Sequence, residues 1–532
     1  MTGSARAKSL VTLAVCLCML AACSSSGSKG AAPNGGNNTA VTNGGTPDPN
    51  GVLKYGVDLN SAFSDNFDPG KLQNDCANEE LSLIYDGLTL ARSNTDMLPG
   101  VAQSWTVDNP LQITFHLTPN LKFSDGTPED SAAVKASLLH TKLSPTRTSL
   151  FVIGSIDTPD ATTVVLHLTK PQAGDVIWAL SYIDGMIYSP AAIAHLDKTP
   201  VGGGPFKLKS YETGQLLSLE KNPTSGDASK YKLAGVDFVQ VGSGPQAVTA
   251  LQSGQVDMID LQPDQLAAVK ANPSKFAIAS GPSLDYATIH FRMDQGPFAN
   301  EKVRQAAEYA VDRNQINSIV FGGQGEIADQ LFPKGTAGYD ASLAGKYKYD
   351  PAKAKSMLQA AGVPTPVKFD LVLIAGIPLF ERMAPLIQNE MAAAGFKANL
   401  VRVTPTAILT QVYLQKKGDA IVTTDLTNGP ALWNNFGGNY TSAGFVAGAM
   451  GSKRPEIETL VHTAEKSGKF DGAALQQPMQ QASSLVMSEG LEVPLIFQTR
   501  MVAFNKARVG GTITAPIGSC RSNLENVFIK QQ

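Results

Sequence analysis

Apolar and polar residues alternate along Gln112-Ile113-Thr114-Phe115-His116-Leu117, and less cleanly along Thr163-Val164-Val165-Leu166-His167-Leu168. A period of two predicts two half-buried strands. Between them Asp125-Gly126 predicts a turn, and Ser131 to His140 has the composition of a helix. Further along the period lengthens. Ala354, Met357, Leu358 and Ala361 fall on one helical face behind Asp350-Pro351, which read as N-cap and first helical residue, and Gly362 is the stop signal. Phe380, Met383, Ala384, Ile387, Met391 and Ala394 repeat that spacing; Pro385 inside it predicts either a kink or the true start of the helix. Gly395 ends the run, and Lys397 to Val403 reads as a strand. Alternating helix and strand predicts a mixed α/β body. No internal repeat is present.

The N-terminal pattern is different. Arg6 and Lys8 precede an apolar run from Leu10 to Leu20, too short to span a bilayer as a helix but suited to a secretory signal. Leu20-Ala21-Ala22-Cys23 closes it and resembles the bacterial lipobox, in which the signal (residues 1–22) is cut before a cysteine that takes a lipid. From Ser24 to Gly51 the chain is almost entirely Ser, Gly, Asn, Thr, Ala and Pro. Residues 23–51 therefore read as a lipidated Cys23 and a flexible leash, with a mean reach of about 30 Å. No later stretch approaches eighteen consecutive apolar residues, so no transmembrane helix is expected.

Of 532 residues, those after the leash suffice for two or three domains. The formal charge of −3 becomes −5 once Arg6 and Lys8 leave, and no basic run stands out, so nucleic acid is not an expected partner. Beyond the signal and Cys23, Cys76 and Cys520 remain, either as a disulfide or as two buried thiols. The six histidines (His116, His140, His167, His195, His290 and His462) show no H-x-x-x-H or H-E-x-x-H spacing, so no metal site and no cofactor is expected.

Several blocks, in order, resemble the extracellular solute-binding proteins of family 5, which serve peptide/nickel-type ABC importers. They are Tyr85-Asp86-Gly87-Leu88, Leu98-Pro99-Gly100-Val101-Ala102 with Ser104-Trp105, and Leu121-Lys122-Phe123-Ser124-Asp125-Gly126-Thr127-Pro128. Val201-Gly202-Gly203-Gly204-Pro205-Phe206 follows, with Gly203 where the family usually has threonine. Lys221-Asn222-Pro223, Ala250 to Asp257, Pro297-Phe298 to Arg313, Tyr349 to Ala354 and Val493-Pro494-Leu495 complete the series. Each block also reads as plain scaffold: turns, a strand entry, a helix core face.

The resemblance implies an α/β, two-lobed periplasmic-binding-protein-like fold (type II, cluster C-like) with an extra subdomain in the first lobe. Lobe I would comprise residues 52–88, 199–291 and 491–532, the subdomain 89–198, and lobe II 292–490. The crossing strands would be Ala287–Met293 and Leu491–Thr499. It further implies a monomer that captures a small-molecule or peptide ligand by lobe closure, tethered to the cell membrane on the extracytoplasmic face. ABC permease subunits with their ATPase would be the partners.

Family sites draw on a loop near the first strand, matched by Asn66, Phe67 and Asp68, and on the first crossing strand, where Arg292 and Met293 stand. In peptide-binding members a second-lobe aspartate holds the ligand's amine. The corresponding stretch runs from Thr423 to Pro430 and offers Asp425 and Asn428, but lacks the leading tryptophan and the aspartate before the proline. Arg292 reads either as a carboxylate clamp or as half of a surface pair. The segment Trp433 to Tyr440 is aromatic and amide-rich, so Trp433, Asn434 and Tyr440 read either as a surface for a polar organic ligand or as a packed loop. An enzyme is not expected: Walker A and G-x-S-x-G patterns are absent. A ligand-sensing lipoprotein without transport is the alternative, and a secreted hydrolase the remoter one.

Overall fold

The computed structural model describes residues 39–532 except 60–65, 73–77, 92–96, 145–146, 426–430, 471 and 516–522. Cys23, Cys76, Cys520 and Asn428 lie outside the described residues, and with them the lipidation and the Cys76–Cys520 disulfide.

Eleven strands form the main sheet. In chain order they are β1 (Val52–Val57), β2 (Phe206–Glu212), β3 (Leu216–Lys221), β4 (Gly235–Gln240), β5 (Met258–Asp260), β6 (Phe276–Phe291), β7 (Glu326–Ile327), β8 (Val367–Ile374), β9 (Phe396–Val403), β10 (Ala420–Asp425) and β11 (Glu492–Asn505). They lie in the order β2-β3-β4-β1-β5-β11-β6-β10-β8-β9, with β7 on β11. The antiparallel pair β6–β11 is the spine. Its first half joins β5 (Asp260 opposite Val502) and its second half joins β10 (Tyr286 opposite Asp425). The two largest hydrophobic cores sit on the two halves. One gathers Leu53, Tyr55, Phe206, Phe238, Phe504 and Val527; the other gathers Phe291, Phe298, Leu371, Ile387, Trp433 and Leu495. Between the halves the ladder slips: Pro282 faces Thr499, and the next pair is Tyr286 with Phe497. Ser283, Leu284 and Asp285 thus oppose a single residue, a bulge that bends the strand.

The predicted strands Gln112–Leu117 and Thr163–Leu168 form and pair antiparallel in a separate four-stranded sheet. Their histidines end far apart, since His116 faces Thr163 while Gln112 faces His167. Helix Ser131–Lys142 covers this sheet, capped by the Asp130 carboxylate. Helix Pro351–Ala360 starts as expected, with Asp350 accepting from Lys353 N at 2.8 Å. The helix Pro378–Ala393 continues past Pro385, so Pro385 is not its start, and its first residue is Pro378. Trp433–Tyr440 is helical rather than a loop, because Trp433, Phe436 and Tyr440 recur at helical spacing on a buried face. Gly203 has its own local cause: a Cβ there would stand 2.1 Å from the Glu129 carboxylate, so a threonine would have to push that carboxylate aside. No described helix is long and apolar enough to cross a membrane.

Candidate functional site

Strand alternation puts Tyr286, Thr288 and His290 of β6 on one face, beside Asp425 of β10 and Glu492 of β11. Helix Trp433–Tyr440 closes over them with Asn435 and Asn439, one turn apart, and with Tyr440. His290 Nε2 lies 3.1 Å from Asp425 Oδ2 and 3.4 Å from Glu492 Oε2. Asn439 Nδ2 donates to Asp425 Oδ2 at 2.7 Å. Thr288 Oγ1 and Tyr440 OH donate to Glu492 at 2.7 Å each. Tyr286 OH accepts from Asn435 at 2.8 Å and lies 3.1 Å from Glu492 Oε1. No buried side-chain oxygen or nitrogen of this group is left without a partner.

The charges fit that closure. Burial alone would lower the His290 pKa, but Asp425 and then Glu492 hold it well above its ordinary value. Burial pushes the Asp425 carboxyl up, only partly opposed by His290. Burial also works against the Glu492 carboxylate, yet hydrogen bonds from His290, Tyr440 and Thr288 bring it below its usual range. The cluster sets the His290 imidazole between two carboxyl groups. Its three donor atoms lie within 4.8 Å of one another, an N/O/O set of a kind that divalent cations accept once the imidazole is neutral.

A second polar group lies on the other side of the bulge. Asp285 in the bulge, Arg500 of β11 and Asp260 at the end of β5 lie there, and Glu80 of helix Asn78–Leu81 is near enough to feel the Asp260 charge. Tyr55 OH donates to Asp260 Oδ1 at 2.6 Å, and Arg500 Nη2 donates to Asp285 Oδ2 at 2.9 Å. A third contact ties the second core to the small subdomain. Trp433 Nε1 donates to Asp175 of helix Ala173–Ala179, and a Cβ at Gly174 would stand 2.8 Å from the Trp433 ring. Asp175 also meets Glu465 of helix Pro455–Ser467; burial, then that carboxylate, push it up to about 7.

The residues expected to touch ligand are scattered. Asp425 and Tyr440 meet in the first cluster, and Asp425 already serves His290 and Asn439. Arg292 is neither clamp nor surface pair: it is wholly buried and donates to the carbonyls of Gly418, Ala449 and Val412 at 2.6–2.9 Å. Each of the three guanidinium nitrogens thus donates to a backbone carbonyl, so the side chain pins loops together. Met293 is buried, its backbone N–H bound to Met450 O. Trp433 is buried with its N–H used by Asp175, while Asn434 is exposed. Asn66, Phe67 and Asp68 stand elsewhere. The Asn66 side chain accepts from Asp68 N, Phe67 packs edge-on against Tyr211, and Asp68 meets His140 at 3.0 Å and Lys71 at 3.3 Å. His290, Glu492 and Glu80 were missed. The charged Glu492 just ahead of the apolar run at the start of β11 is the one local signal.

The model of bacterial extracellular solute-binding proteins, family 5, matches residues 96–446. The chain belongs to that family. It is a substrate-binding protein of the ABC-importer type, and its relatives are solute-binding proteins. It is 27% identical, over 82% of its length and 85% of the relative's, to the probable D,D-dipeptide-binding periplasmic protein DdpA of Escherichia coli K12. It is 26% identical to the binding protein AgaA of A. tumefaciens R10, solved with agropinic acid, with a TM-score of 0.73 over 91% of this chain and 99% of that one. The unliganded open form of the murein tripeptide-binding protein MppA superposes with a TM-score of 0.76 at 19% identity, over 92% of this chain and 99% of that one. These are two-lobed periplasmic binding proteins, and the family 5 protein described above shares their fold.

Proposed function

We propose that this chain is a lipid-anchored receptor that captures a small polar organic solute, peptide-like in chemistry, and delivers it to an ABC permease. Cys23 is the anchored residue, and the leash that follows lets the receptor move over the membrane. Residues 52–88, 199–291 and 491–532 act as one lobe, 89–198 as its subdomain and 292–490 as the other. The observation that supports this most is the β6–β11 pair, which links two separately cored regions through a bulged ladder. Bending there opens and closes a cleft; a solute that contacts both sides shifts the population toward the closed form. Relatives named for a D,D-dipeptide and solved with agropinic acid support an amino-acid-derived ligand.

The test is native mass spectrometry of purified protein followed by small-angle scattering. A retained small solute, whose removal expands the protein and whose return compacts it, is the expected result. An unchanged radius of gyration with every recovered or offered solute overturns capture by closure. Anchoring is checked separately: Cys23→Ala should abolish fatty-acid labelling and release the protein from the membrane.

A further inference from the structure

Four charged side chains from distant segments lie beside or near the bulge: Glu80, Asp260, Asp285 and Arg500. Three are carboxylates and one is a cation. Glu80 and Asp285 are each 1% exposed. Yet Glu80 Oε2, Asp285 Oδ1 and Arg500 Nε are buried atoms with no hydrogen-bond partner. An orphaned buried polar atom costs about 1–3 kcal/mol, and native proteins rarely leave several together. The Arg500 side chain is 34% exposed, so the group has an open side while its floor is covered. Burial pushes the Glu80 carboxyl up to about 8, with Asp260 adding to the rise. Asp260 is raised by burial too, against the Tyr55 hydrogen bond and the Arg500 charge.

We propose that this group is a ligand subsite for an ammonium or guanidinium function, held by Glu80, Asp260 and Asp285, while Arg500 Nε donates to an acceptor on the same ligand. This rests on the capture reading above and names its substrate class: a zwitterion or a basic solute. The excess of carboxylates selects against an anion. A bare metal ion suits the spread less well, because the donor trio compact enough for one, among the described residues, is the His290 cluster instead. A group with several N–H bonds reaches acceptors that are farther apart. The site also relocates the ligand's cation: Asp425 is already saturated, whereas Glu80 and Asp285 are not.

Fragment probes make the test independent of ligand identity. The detergent-solubilised protein is titrated with millimolar methylammonium or methylguanidinium chloride against sodium chloride of equal ionic strength. A saturable rise in melting temperature is expected with the organic cations alone, lost or weakened at least tenfold in Glu80→Gln and in Asp285→Asn. Calorimetry at pH 7 in two buffers should show proton release on binding, because a cation favours ionised Glu80 over its neutral form. The release should vanish in Glu80→Gln, a readout that a purely structural role would not move. No saturable rise, or an equal rise in both variants with native circular dichroism, overturns the subsite. The capture reading is judged by compaction with whole solutes, so the two fail separately.

Discussion

Two buried charge clusters hang on the same pair of strands, one on each side of a bulge, and only one of them is closed. Around His290, every buried donor and acceptor has found a partner inside the protein. Around Glu80, carboxylates outnumber the single cation and three buried atoms have none. The difference teaches how to tell a polar group that specifies a fold from one that waits for a solute. Burial and charge are common to both; satisfaction is not. A saturated network fixes one arrangement of the chain, whereas an unsaturated one lowers stability in return for affinity.

The largest expected effect tests the closed side. Glu492→Ala removes the acceptor of Thr288, Tyr440 and His290 and should cost about 3–5 kcal/mol in urea unfolding. A loss below about 1 kcal/mol would remove the distinction between the clusters. The open side should respond with the opposite sign. Glu80 has a raised carboxyl, so its contribution is fully present near pH 4 and is lost as pH rises to about 8. Glu80→Gln should flatten that decline and leave the variant more stable than the parent at pH 9, on the order of 1–3 kcal/mol, read from urea midpoints across pH. A variant less stable at every pH would show that Glu80 is scaffold. The smallest effect concerns the bridge between the small subdomain and the helix carrying Trp433. Asp175, raised to about 7, loses its stabilising contribution between about pH 4 and 7. Asp175→Asn should erase that part of the pH profile, about 1 kcal/mol for a partly covered carboxyl, with the melting temperature as readout.

What the chain disclosed in advance follows the range of the interactions. Local devices were legible: the Asp350 cap, the alternation of Gln112–Leu117, the turn at Asp125-Gly126. Family membership was legible too, since its blocks keep their order along the chain. Trp433–Tyr440 was harder, because asparagine and glycine are poor helix formers and the stretch is stabilised by what it covers. The polar clusters were not legible at all. His290, Asp425 and Glu492 become neighbours only through the registers of β6, β10 and β11, and Glu80 comes within reach of the Asp260 charge from well over a hundred residues away. Arg292 shows the cost of reading one position alone: its charge suggested a ligand, and three carbonyls claimed it.

The bulge between Pro282 and Tyr286 has a mechanical meaning. Phe276 to Pro282 pair residue by residue with Asn505 to Thr499, and beyond the bulge the ladder resumes with one further slip between Ala287 and Thr288, so sliding the strands would break a row of amide bonds at once. Flexing at the missing rungs is soft. Under the proposed capture by closure, the connection would act as a caliper with one free coordinate, its opening angle a gauge of whatever is gripped.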